Sequence, residues 1–181
     1  MLAPAAAQAS VIVPLTEPEL VAKADVIVFG TLVRTQTVRN DVGFVVTRAE
    51  LQVYRALRGA KNGEFLLIEV PGGQLPSGEV AEVSGSPKLV VGQPLVAFLQ
   101  ARGQVLRPLG MSFGVLHVRG KGAEQRVYRS LDGLQLLLPS GRSASASKYQ
   151  IDGVPLAALM TRIEAELRNQ GIRRQAPHGQ D

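Results

Sequence analysis

The sequence predicts an all-β fold, a barrel or a sandwich, with a short N-terminal helix and an amphipathic C-terminal helix added to it. Three observations predict it. Short runs of β-branched and apolar residues recur at near-regular spacing, Gly- and Pro-containing turns separate them, and no long helices interleave as a βαβ sheet would require. With 181 residues, 45% of them hydrophobic, and a mean hydropathy of +0.11, the chain is one ordinary domain with a small extension and carries enough apolar material for a real core.

Residues 1–9 are read as a signal-peptide remnant or a disordered start. The stretch Leu2-Ala3-Pro4-Ala5-Ala6-Ala7-Gln8-Ala9-Ser10 resembles the end of a secretory signal with an A-x-A site at Ala7-Gln8-Ala9, although the basic leading region and most of the apolar run are missing. The expectation is an exported protein: periplasmic, at the cell surface or secreted. The barrel domain is placed at 10–138. Thr16-Glu17-Pro18-Glu19 has the spacing of a capping box with Pro in the first turn, which predicts a helix over 17–23. Residues 26–33 are apolar on both faces, as in a central strand, with Gly30 at a bend or bulge. Residues 44–54 alternate. Val45, Thr47, Ala49, Leu51 and Val53 are expected inside, and Arg48, Glu50, Gln52 and Tyr54 outside.

A turn at 59–63 leads to a strand over 65–70, which Pro71-Gly72-Gly73 stops. Further strands are expected at 94–99, 104–107, 113–118, 125–130 and 134–138, with turns at Gly103, Gly120-Lys121-Gly122 and Asp132-Gly133. Residues 139–150 read as a Ser/Ala-rich linker. Residues 151–170 read as the C-terminal helix, with Asp152 as its cap, a start near Gly153 and an end at Gly171. Leu156, Leu159, Met160, Ile163 and Leu167 form its apolar stripe, and 171–181 is a polar tail.

Composition excludes several chemistries. Zero cysteines remove disulfides, thiolate zinc sites and cysteine catalysis, and two histidines leave little for metal binding or for acid-base work near neutral pH. No run of ~18 apolar residues is present to cross a membrane as a helix. Twenty Lys and Arg against fifteen Asp and Glu give +5, but the arginines are scattered, which reads as a solvated surface. Single-strand nucleic-acid binders stack bases on exposed aromatics. With no Trp, and with alternation leaving chiefly Tyr54 and Tyr128 outside, nucleic acid is disfavoured as a partner.

Gly110-Met111-Ser112-Phe113-Gly114 matches the nucleophile-elbow pattern, with His117 three residues later. An elbow needs a helix after it, whereas a strand is expected here, with His117 facing solvent beside Val115 and Arg119. A serine hydrolase using Ser112 is therefore the least favoured alternative. Ser145-Ala146-Ser147-Lys148 matches S-x-x-K but lies in the linker, without the helix that chemistry needs. Neither Glu79 with Glu82 nor Glu164 with Glu166 makes a glycosidase pair, and no metal or cofactor is expected.

A resemblance adds to this reading. Residues 20–99 resemble a loose group of exported bacterial proteins with an oligonucleotide/oligosaccharide-binding-like barrel. The matching pieces are 20–30 (LVAKADVIVFG), 53–59 (VYRALRG), Val70-Pro71-Gly72-Gly73, 83–87 (VSGSP), Val91-Gly92-Gln93 and Leu95-Val96-Ala97-Phe98-Leu99. Their order is also similar to that of the netrin-like domain of tissue inhibitors of metalloproteases. Those inhibitors chelate zinc through an N-terminal cysteine, which this chain lacks, so that mechanism does not carry over. The resemblance implies a barrel that binds something without catalytic machinery.

The expected function is an exported, non-catalytic β-barrel acting as a binding or interaction module for another protein or a cell-envelope component. The alternative is a structural subunit of an envelope or surface assembly, with Val11-Ile12-Val13 adding to a neighbour's sheet. Residues 71–93 exceed the ~12–15 residues of an ordinary irregular loop and are expected to form the recognition surface. There Leu75, Val80, Val83, Leu89, Val90 and Val91 would anchor the segment, and Glu79, Glu82 and Lys88 would make the polar contacts. The outer face carrying Arg48, Gln52 and Tyr54 is the second candidate.

Overall fold

The computed structural model describes residues 11–131, 135–137, 143–144, 149 and 151–175. The fold is mostly β-sheet with two helices. Helix α1 (Glu17–Lys23) forms where the capping box predicts it, with the Thr16 backbone N–H and hydroxyl both donating to Glu19 Oε2 at 2.8 Å. The strands are β1 (Val11–Ile12), β2 (Val26–Arg39), β3 (Val45–Arg58), β4 (Phe65–Pro71), β5 (Gly73–Gln74), β6 (Val80–Ala81), β7 (Pro94–Arg102) and β8 (Val105–Pro108). They continue with β9 (Val115–Arg119), β10 (Arg126–Tyr128), β11 (Gln135–Leu137), β12 (Ser143–Ala144) and β13 (Asp152–Pro155), and helix α2 (Leu156–Gln175) follows.

Eight strands pair in the order β13-β10-β9-β7-β2-β3-β4-β8, and β8 pairs again with β7. The antiparallel β7–β8 pairing runs from Leu99 with Pro108 to Arg102 with Val105, and β8 meets β4 in parallel at Leu106 and Ile68. Pairing therefore passes through β2, β3, β4, β8 and β7 and returns to β2. Strands β2 and β3 are longer than their apolar runs because they pair with each other as far as Arg39 and Val45, with register shifts after Ile27, Phe29 and Leu32.

Alternation along β7 divides the core. Leu95, Ala97 and Leu99 point to one side and pack with Val28, Leu32, Leu51, Val53, Ile68 and Val70. Val96 and Phe98 point to the other and pack with Leu20, Ile27, Leu116, Leu159 and Ile163 from both helices and the sheet. Both faces of β7 are buried, which is why its sequence is a continuous apolar run. The inward set on β3 is the predicted one: Val45, Ala49, Leu51 and Val53 are buried and Thr47 half-buried. Leu51→Ala should cost about 2–5 kcal/mol in urea unfolding, as for a large-to-small core change. Glu50→Ala, which loses only an exposed 3.8 Å pair with Arg34, should cost less than about 0.5 kcal/mol.

The C-terminal region departs from expectation. Asp152 does not cap a helix. Asp152–Pro155 is strand β13, antiparallel to β10, and Gly153 has φ +70°, which a helical residue does not adopt. Leu156 donates its N–H to the Gln125 carbonyl at 2.9 Å, and the helix starts there. It passes through Gly171 and ends at Gln175, so 171–175 belongs to the helix and not to the tail. Its stripe is buried on its own chain, and Arg162 donates twice to Glu17 of α1, at 3.0 and 2.9 Å.

The apolar start is also spent within the chain, since Val11 and Ile12 pair in parallel with Gln135 and Leu136 of β11. Within the expected linker, Ser143–Ala144 forms β12 against Leu136 and Leu137. The signal-like residues 1–10, the Asp132-Gly133 turn, the S-x-x-K match at 145–148 and the tail at 176–181 lie outside the described residues.

Candidate functional site

The β3–β4 register sets Arg48 opposite Glu69, and the parallel β4–β8 contact at Ile68 and Leu106 brings Arg107 beside the same carboxylate. Glu69 is only 2% exposed. A carboxylate is buried at such cost only when it is paired, and both of its oxygens are: Arg48 Nε donates to Oε2 at 3.2 Å and Arg107 Nη2 to Oε1 at 2.5 Å. A third guanidinium, that of Arg102, donates to Gln100 Oε1 at 2.6 Å and has no carboxylate partner among the described residues.

These groups line a hollow of about 430 Å³. Asn40, Asp41 and Val42 of the β2–β3 turn close one side, and the β7–β8 turn at Gly103 and Gln104 closes the other. Leu67 and Val105 supply apolar wall. A second hollow of about 250 Å³, between Pro71, Pro87 and Leu109, shares Glu69, Arg102 and Arg107 with the first. Phe44, at the end of the same turn, is 69% exposed, and Phe65, two residues before Leu67 and so on the same strand face, is 59% exposed. Tyr54 is exposed as expected, at 50%, while Tyr128 is half-buried, and Phe44 and Phe65 add exposed rings that alternation did not point to. Tyr54 packs edge-on to Phe29 with ring centroids 5.9 Å apart, and the Arg119 guanidinium lies 4.8 Å from the Tyr128 ring centre.

The six residues singled out in the sequence do not converge. Arg48 alone lies in the Glu69 cleft. Gln52, on the same outer face, sits between Thr31 and Phe65. Tyr54 lines a different hollow of about 390 Å³ with Phe29, Arg55, Leu156 and Met160. Glu79 is held by Arg39 Nη2 through both oxygens, at 2.7 and 2.6 Å, and ties residues 71–93 to the end of β2. Glu82 and Lys88 line a groove of about 620 Å³ within that segment, together with Thr47 and Ser84.

What holds the segment also differs from expectation. Leu89 packs partly against the core, but Val80, Val83, Val90 and Val91 are exposed. Hydrogen bonds replace the apolar anchors: Thr47 Oγ1 donates to Gly72 O at 2.8 Å, Ser86 Oγ to Pro71 O at 2.7 Å and Ser112 Oγ to Gly85 O at 2.8 Å. The Ser112 hydroxyl is therefore committed to a backbone carbonyl, in a 3-10 turn (Met111–Gly114) that leads into a strand.

His117 does not face solvent as expected. Val115, on its face, is buried against Ala97, and His117 is half-buried with Nδ1 unpartnered. Burial, and secondarily the charge of Arg119, lowers its pKa below the usual histidine value. The folded state then binds the proton less readily than the unfolded chain, so stability should fall as pH drops below the unfolded value of about 6.5. The His117→Gln variant should lose that step in urea melts at pH values on either side of it.

Sequence reading missed Glu69, Arg102 and Arg107 as a group. A glutamate inside the apolar run from Phe65 to Val70 was the available signal, because such a residue requires a cation. No protein-family model matches the chain, and no curated protein matches it either.

Proposed function

We propose that this chain is an exported, non-catalytic binding module built on a β-barrel of the oligonucleotide/oligosaccharide-binding type, and that its ligand occupies the cleft at Glu69. The observation that carries the proposal is a buried carboxylate holding two guanidinia, with a third nearby that has no carboxylate partner among the described residues. With Asp41 counted beside Glu69, three guanidinia face two carboxylates, and the hollow stays net positive.

The return of strand pairing from β8 through β7 to β2 supports the barrel. Barrels of this type take ligands on their central strands and the flanking turns, and the cleft lies over β3 and β4 between the β2–β3 and β7–β8 turns. The netrin-like order of motifs agrees with a binding role, and the A-x-A start supports export. The commitment of the Ser112 hydroxyl to Gly85 supports the non-catalytic reading over the hydrolase. The partner is another protein or a cell-envelope component.

Affinity capture from the exported fraction of the source cells tests the proposal with three baits: the wild-type chain, Arg48→Gln with Arg102→Gln, and Glu82→Ala with Lys88→Ala. The arginine variant should lose a partner that the other two retain. Loss in the Glu82/Lys88 variant alone would move the site to the groove within 71–93.

A further inference from the structure

Outside the cleft, the ion pairs among the described residues are one to one: Arg34 with Glu50, Arg39 with Glu79, Arg55 with Glu164 and Arg162 with Glu17. Among the described residues, Glu69 is the one carboxylate that two arginines share, with Arg102 beside them. The hollow sets three guanidinia, those of Arg48, Arg102 and Arg107, against the carboxylates of Glu69 and Asp41, which makes it a net positive concave site. Salt screens exposed charges, but a cluster recessed in a hollow keeps more of its field. Glu69 engages one N–H from each of Arg48 and Arg107 and leaves other donors of both forks for a second oxyanion.

We infer that the cleft recognises an extended acidic peptide segment of a partner protein, with a carboxylate seated on Arg102 and Arg107 and an apolar neighbour on Leu67 and Val42. The inference rests on the cleft being the binding surface and adds the class of its occupant. The two hollows meet at Glu69, Arg102 and Arg107, so a ligand lying along both passes the cationic point midway. An extended peptide suits that shape: successive side chains alternate in direction, so an acidic side chain enters the cluster while its neighbours take the apolar walls. A polyphosphate backbone would need cations at regular intervals, whereas the two hollows hold theirs, Arg48, Arg102 and Arg107, at one point. Glu69 acts as a positioning residue, fixing Arg48 and Arg107 so that less side-chain entropy is lost on binding.

Fluorescence anisotropy with a labelled octapeptide of alternating Leu and Glu tests this, with a Leu/Gln analogue, an oligothymidylate and a uronate oligosaccharide as competitors. Amide chemical-shift mapping locates whatever binds. Arg102→Gln is the chosen variant because its guanidinium does not touch Glu69, so folding should survive. The Leu/Glu peptide should bind at least about tenfold more tightly than the Gln analogue, and Arg102→Gln should remove about tenfold, the loss of one charge-assisted contact. Equal affinity for the Glu and Gln peptides, no binding of the Leu/Glu peptide, or displacement by oligothymidylate or the uronate with shifts at Arg48 and Arg102 would overturn the peptide inference and leave the cleft in place. Shifts confined to residues around Glu82 and Lys88 would overturn the cleft itself.

Discussion

Replacing Leu159 and Ile163 together by alanine is expected to abolish the cooperative thermal transition. Both side chains are fully buried and belong to the cluster that joins α1 and α2 to Ile27, Val96, Phe98 and Leu116 of the sheet. Each truncation alone costs about 2–5 kcal/mol, while the whole stability of a domain is about 5–15 kcal/mol, so the pair removes most of it. The helix is not an accessory, because its apolar stripe shares one continuous buried cluster with Leu20 and Val21 of α1, Phe113, and Val96 and Phe98 of β7. Circular dichroism melts of the single and double variants check this. A double variant that still melts cooperatively within a few degrees of wild type would mean that the helix is peripheral.

Gly30→Ala has the second large effect, for a different reason. Gly30 sits at a register shift in β2, between β3 and β7, and a Cβ there would stand 2.2 Å from the Gln52 carbonyl oxygen and 3.2 Å from Leu51 Cδ1. The obstructing atom is backbone in a strand paired on both sides, so it cannot swing away. The cost should be about 3 kcal/mol or more, the upper range for overpacking. Gly171→Ala is the control. It is helical and open on all sides, and it should gain up to about 1 kcal/mol from the helix propensity of alanine. Equal urea midpoints for the two variants would show that the close approach at Gly30 carries no energetic weight.

Much of this architecture could be read along the chain because it is local. The capping box set α1, and the period-two alternation on β3 identified its dry face correctly. Elements that depend on distant partners were less legible. Asp152 and Gly153 look like a helix start until β10 pairs with them, and Val115 looks outward until Ala97 covers it. The cleft is the extreme case. Arg48, Glu69, Arg102 and Arg107 come from four strands, and only the register of β3, β4, β7 and β8 brings them together. The segment 71–93 misled for a compositional reason: its valines read as anchors, yet the chain is held there by hydroxyl-to-carbonyl hydrogen bonds, which leave no periodic trace in a sequence.

The location of the binding surface is tested most directly by amide hydrogen exchange of the chain, free and with its captured partner, resolved by peptide. New protection is expected in 40–48, 67–69 and 102–107, with 80–91 unchanged. Protection confined to 72–91, or to the hollow of Tyr54 and Met160, with the Glu69 cleft exchanging as in the free chain, would contradict it.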